Sequence, residues 1–249
     1  MHQAIALYFF VVAVILLGLL HISYPQRHQQ AQSKPNFYWS LALALDALGL
    51  VAFAFYFLIT NGLVQTHWIG TIANTTLFAS YLYQTLNLRS LRQDITRVQQ
   101  RIAWVVIACF GLVWQWTKEY STPNDRVLYF GLASAALLVW QIIESHKNKQ
   151  VFSQSVPLKV VMATAIAELV LTVVRVLAFV ELPQPMLLAE QLPIVAVAAT
   201  WFQYAFKTVA YAAINGYWTE TITAEKARID YENHQFRVLS AKQEKIIAD

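Results

Sequence analysis

Hydrophobic positions along the chain gather into seven runs, at 4–22, 37–59, 68–88, 102–116, 127–143, 157–180 and 192–218. Most reach about 20 residues, the length a helix needs to cross a hydrocarbon core. The fourth and fifth are shorter and contain Gln115 and Gln141. The pattern predicts an all-α membrane protein, a bundle of seven transmembrane helices. Pro157 and Pro193 fall at helix starts, where a missing N–H does no harm. Beyond Trp218 the pattern changes: residues 219–249 lack Gly and Pro and mix six acids with five bases. That segment reads as one charged helix, roughly 45 Å long. Ile222, Ile229 and Phe236 recur every seven residues, joined by Leu239 and Ile246. Glu225, Glu232 and Gln243 occupy companion positions, so the heptad is fragmentary. A parallel pair of helices and a solvated or surface helix both fit it.

The polar connections set an orientation. Three of them carry Arg27 and Lys34, then Arg89, Arg92, Arg97 and Arg101, then Lys147 and Lys149. The other three carry only Lys118 and Arg126, balanced by Glu119 and Asp125. Basic residues in short loops mark the cytoplasmic side. The N-terminus is therefore expected outside and the tail inside, in a multi-pass membrane protein. Met1-His2-Gln3 lacks the basic start of a secretory signal, so the first run is expected to be retained. The outer connections are too short for a folded domain, which moves recognition into the bundle, its outer mouth or the lipid bilayer.

Composition narrows the classes. Of 249 residues, 57% are hydrophobic and 13% charged, against about 25% charged in soluble domains. Two units follow, a bundle at 1–218 and a signalling helix at 219–249, with no room for a second soluble domain. The net charge of +4 lies between the spans, where it serves topology rather than nucleic acid. Cys109 is the single cysteine and excludes an intrachain disulfide.

Four ionisable residues lie well inside the runs: Asp46, Glu168, Arg175 and Lys207. Such residues are costly in a bilayer and face the bundle interior or water. Counted from the cytoplasmic ends, Asp46, Glu168 and Lys207 all reach ~14–16 Å up. Two readings stand, a buried ion-pair cluster joining helices two, six and seven, or a switch whose pairing changes on binding. Arg175 lies two turns beyond Glu168 on nearly the same face. With Asn74, Trp114, Gln115, Trp201 and Gln203 it forms a candidate site for a small amphipathic ligand bearing a carboxylate or similar acceptor. An interfacial aromatic belt is the plainer account of the indoles. No buried histidine set, phosphate loop or Ser/His/Asp grouping is visible, so neither metal nor enzyme chemistry is expected within these residues.

Three resemblances bear on class. A lysine in the last of seven helices resembles the Schiff-base lysine of retinal proteins, which would make retinal a cofactor on Lys207. Gln203 stands where that pattern has an acid, and the third run contains no Asp or Glu. Pro25-Gln26 and Pro183-Gln184 resemble the dipeptide of PQ-loop transporters, here placed in loops. The stretch from Val238 through Lys242, Glu244 and Lys245 to Asp249 resembles the linker of membrane-bound sensor histidine kinases. That resemblance implies a transmembrane input domain, a homodimer in the full-length protein, and an output domain beyond Asp249. The kinase core, with its phospho-acceptor histidine and nucleotide-binding glycines, is absent from the sequence.

Overall fold

A computed structural model describes residues 2–22, 34–61, 67–151, 155–180 and 192–248, with the side chains at 34–36, 123, 180 and 238–248 excepted. The described residues form seven helices and no strand. They are α1 (His2–Ile22), α2 (Lys34–Ile59), α3 (Trp68–Ser90), α4 (Arg97–Tyr120), α5 (Pro123–Val151), α6 (Val156–Val180) and α7 (Ile194–Ala248). The all-helical expectation holds. Four helices contain stretches long and apolar enough to cross a membrane, at His2–Ile22, Phe37–Ile59, Asn124–Val151 and Val156–Phe179.

The helices α1, α2, α3, α5, α6 and α7 pack in a closed ring, each against the next, with α7 returning to α1. Helix α4 lies outside that ring against α3 and α5. Every residue of α3 from Leu77 to Leu88 is buried. Its polar residues Ser80, Gln84, Thr85 and Asn87 therefore face protein rather than the exterior. These buried polar residues lower the hydropathy of α3. The exterior is the reverse: Leu7, Leu112, Leu132, Ile194 and Phe202 are all more than half exposed. Exposed apolar area spread over several helices is the surface a bilayer would cover.

The chain ends the bundle differently at its two faces. At the end from which α7 projects, helices run through positions expected as loops. Lys147 and Lys149 belong to α5, Arg89 to α3, and Arg97 and Arg101 to α4. Helices outlast their apolar runs because local capping and side-chain bonds satisfy backbone groups there. Thr96 and Gln99 form a reciprocal capping box that starts α4 five residues before its apolar run. In the same region Arg92 pairs with Glu144, and its Nε donates to Asn148 Oδ1 at 2.9 Å. Asn148 Nδ2 in turn donates to the Leu88 carbonyl at 2.8 Å, tying α3 to α5. At the opposite end Lys118 is buried and donates to the His67 carbonyl and to Thr71 Oγ1. Thr122 and Asp125 cap each other at the start of α5.

Helix α7 is unbroken over 55 residues. Residues 223–237 are exposed on all sides, including Ile229 and Phe236. Arg27, Pro25-Gln26 and Pro183-Gln184 lie outside the described residues, as do the side chains of Lys34 and of the linker-like segment beyond 237.

Candidate functional site

The interior polar groups form two levels. Helical spacing builds them: Glu168, Thr172 and Arg175 share one face of α6, and Gln203 and Lys207 share one face of α7. Asp46 reaches them from α2, Ser80 and Tyr81 from α3.

At the lower level, nearer the projecting tail, Lys207 Nζ pairs with Asp46 Oδ1 at 2.7 Å and contacts Ser80 Oγ at 2.8 Å. Ser80 Oγ also lies 2.9 Å from Asp46 Oδ1. All three side chains are buried. The ammonium sits over the ring of Tyr81, 3.5 Å from its centre. A charge pair taken out of water repays its desolvation only with good geometry and further bonds. Ser80 and the Tyr81 ring supply both. Asp46 Oδ2 is buried with no hydrogen-bond partner among the described residues.

Glu168 does not join this pair. Its Oε2 accepts from the Tyr81 hydroxyl at 3.1 Å, and the Tyr81 ring in turn lies under the Lys207 ammonium. Gln203 Nε2 donates to the same hydroxyl at 3.0 Å and to Thr172 Oγ1 at 3.0 Å. Thr172 donates onward to the Glu168 carbonyl at 2.8 Å. Gln141 of α5 holds the Tyr81 backbone carbonyl at 3.1 Å. Tyr81 is thus the hub joining α3, α5, α6 and α7. The three midplane acids and bases predicted as one cluster are a pair plus a carboxylate, bridged by a tyrosine that charge alone does not reveal.

Above this network, at the end away from the tail, lies a cavity of about 180 Å³. Its wall is largely apolar and aromatic, with Phe9, Phe53, Phe57 and Phe130 among its lining. Four of the six residues singled out from sequence line it: Arg175, Asn74, Trp114 and Trp201. The other two lie elsewhere. Gln115 accepts from Thr71 Oγ1 at 2.6 Å and donates to Glu119, while Gln203 belongs to the Tyr81 network below. Asn74 turns its amide back to the Gly70 carbonyl.

On residues that line the cavity, Arg175 Nε and Nη2 and Trp114 Nε1 are buried donors with no acceptor among the described residues. No Asp or Glu is among the described residues that line the space. The guanidinium lies 5.7 Å from the centre of the Phe130 ring. Beside the cavity, Tyr8 of α1 stacks on Trp201 of α7 and donates to its carbonyl at 2.5 Å, closing the seam where the ring of helices meets.

The missed residues are Ser80, Tyr81 and Thr172, hydroxyls in apolar runs that a search for charges passes over. Tyr204, which lines the cavity next to Gln203, was hidden for the same reason. Compared with protein-family models, with curated proteins and with solved structures, the chain matches none.

Proposed function

We propose that this chain is the transmembrane input domain of a sensor histidine kinase in the bacterial inner membrane, with seven spans, an outer N-terminus and a cytoplasmic tail. The observation that carries the proposal is the continuity of α7. One helix lines the cavity at Ala196, Thr200 and Tyr204, carries Lys207 in the network below, and runs on to Ala248. A small amphipathic molecule in the cavity would press on α6 and α7 together. Displacement there would re-set the Tyr81 bonds to Glu168 and Gln203, and the tail would transmit it as rotation or sliding.

Orientation rests on charge. Arg89, Arg92, Arg97, Arg101, Lys147 and Lys149 gather at the end from which the tail leaves, while Lys118 and Arg126 lie at the other. That asymmetry favours the tail end as cytoplasmic. Exposed Ile229 and Phe236, seven residues apart on the projecting helix, favour pairing of two tails in a homodimer.

The test joins residues 1–249 in helical register to a dimeric histidine kinase core and measures autophosphorylation in membranes. Ala196→Phe, which fills the cavity, is expected to change the rate severalfold, as is Lys207→Met. Unchanged activity across Ala196→Phe, Lys207→Met and Glu168→Gln would refute signalling through this route. Vesicle uptake of a labelled solute that fits the cavity would make the chain a carrier instead.

A further inference from the structure

Two residues that line one apolar cavity, Arg175 and Trp114, carry three buried donors with no acceptor among the described residues, and a ligand that brings acceptors would satisfy them. We infer that the cavity takes a small monocarboxylate with a compact apolar body, an aromatic ring or a short acyl chain. The inference deepens the sensing proposal and rests on it only for the use made of the bound molecule.

Charge comes first. Among the described lining residues Arg175 is the one cation, and no described lining acid neutralises it. A guanidinium held in low dielectric without a counter-charge is costly, so an entering anion gains what a neutral molecule cannot. A single cation balances a single negative charge, which favours a monoanion over a phosphate dianion.

Geometry selects among monoanions. Nε and Nη2, the two unpaired nitrogens, form one edge of the planar guanidinium. Two parallel N–H groups on that edge match the two oxygens of a carboxylate, the strongest pairing an arginine makes. Trp114 Nε1 supplies a third donor to a remaining oxygen lone pair.

Size sets the body. The 180 Å³ cavity is slightly larger than the ~150 Å³ apolar cavity that holds one benzene. Phe9, Phe53, Phe57 and Phe179 provide aromatic and apolar contact for a ring or about six carbons. A long acyl chain exceeds that volume.

Equilibrium dialysis of radiolabelled benzoate and hexanoate against the full chain in lipid nanodiscs tests this, with benzamide and hexadecanoate as comparisons. The expected result is one saturable site for benzoate or hexanoate, with benzamide at least tenfold weaker. Arg175→Gln should weaken benzoate at least tenfold and leave benzamide little changed, and Arg175→Lys should recover part of the loss. Trp114→Phe should cost a few-fold. Should Arg175→Gln fail to fold, the benzoate-to-benzamide ratio on the unaltered chain and the Trp114→Phe variant decide. Absence of benzoate and hexanoate binding, equal binding of benzoate and benzamide, or a preference for hexadecanoate would each overturn the inference. Two outcomes separate it from the sensing proposal. If Ala196→Phe alters kinase output while no small carboxylate binds, the ligand class is wrong and sensing stands. If benzoate binds through Arg175 while neither it nor Ala196→Phe alters output, the ligand class stands and sensing falls.

Discussion

Lys207 Nζ lies 3.5 Å from the centre of the Tyr81 ring, and the hydroxyl of that same ring donates to Glu168. One side chain of α3 therefore touches the charge pair of α2 and α7 with its face and the carboxylate of α6 with its edge. The cavity sits directly above, lined by Tyr204 of α7 and Arg175 of α6. Because the Tyr81 hydroxyl bonds to Glu168 of α6 and to Gln203 of α7, a change in the relative position of these helices would disturb the Tyr81 bonds.

Tyr81→Phe keeps the ring under Lys207 and removes the hydroxyl. Glu168 Oε2 then loses a buried partner, while Gln203 Nε2 keeps its bond to Thr172 Oγ1. A loss of about 1–3 kcal/mol is expected for the carboxylate oxygen left unsatisfied. Thermal unfolding in detergent should show a midpoint several degrees lower. Tyr81→Leu should fall further, by the cation–π contribution of about 0.5–2 kcal/mol. An unchanged midpoint for Tyr81→Phe would remove Tyr81 from the centre of the network.

The Asp46–Lys207 pair is expected to show strong coupling in a double-mutant cycle. Removing either partner alone leaves a buried charge uncompensated, a loss of about 3–5 kcal/mol. Asp46→Asn combined with Lys207→Met should be far less destabilised than the two single changes summed. Additive losses would mean that the two side chains do not meet.

Helices α5 and α6 approach closely at Gly131. A Cβ built there would overlap Val176 Cγ2. Gly131→Ala should destabilise the bundle by about 1–3 kcal/mol through overpacking. Adding Val176→Ala should recover much of that loss. Failure of the second change to rescue the first would place the close contact elsewhere.

Gly216 lies where α7 leaves the bundle, and here a Cβ meets nothing closer than Pro157 Cγ at 3.8 Å. Gly216→Ala should be tolerated and should stiffen the helix by up to about 1 kcal/mol. Gly216→Pro removes a helical hydrogen bond and clashes one turn back. In the kinase fusion, Gly216→Pro should therefore abolish the effect of Ala196→Phe on output while the bundle still assembles. Persistence of that effect would show that the signal does not travel along α7.

Much of the architecture was legible because hydropathy and charge report directly on helices and their ends. The seven apolar runs correspond to the seven helices, and Arg175, Asn74, Trp114 and Trp201 meet at one cavity. Two things were hidden. Helix ends at Thr96 and Lys149 extend past their apolar runs, since capping and side-chain bonds sustain a helix where hydropathy has faded. The placement of Gln115 and Gln203 depends on the rotation of α4 and α7 about their axes, which tertiary packing sets. Depth along a helix could be counted, so Asp46, Glu168 and Lys207 were placed at one level. Which of them touch is decided by Ser80 and Tyr81, whose hydroxyls carry no charge to draw notice.

The most direct test is whether filling the cavity moves the tail. Spin labels at Lys147→Cys on α5 and Tyr231→Cys on α7, in a Cys109→Ala background in nanodiscs, report that distance by pulsed electron paramagnetic resonance. Ala196→Phe is expected to shift the distance distribution by on the order of 1–2 Å, the scale of helix shifts in signalling bundles. Tyr81→Phe should reduce that shift. Superimposable distributions with the cavity empty and filled would contradict transmission from the cavity to the tail.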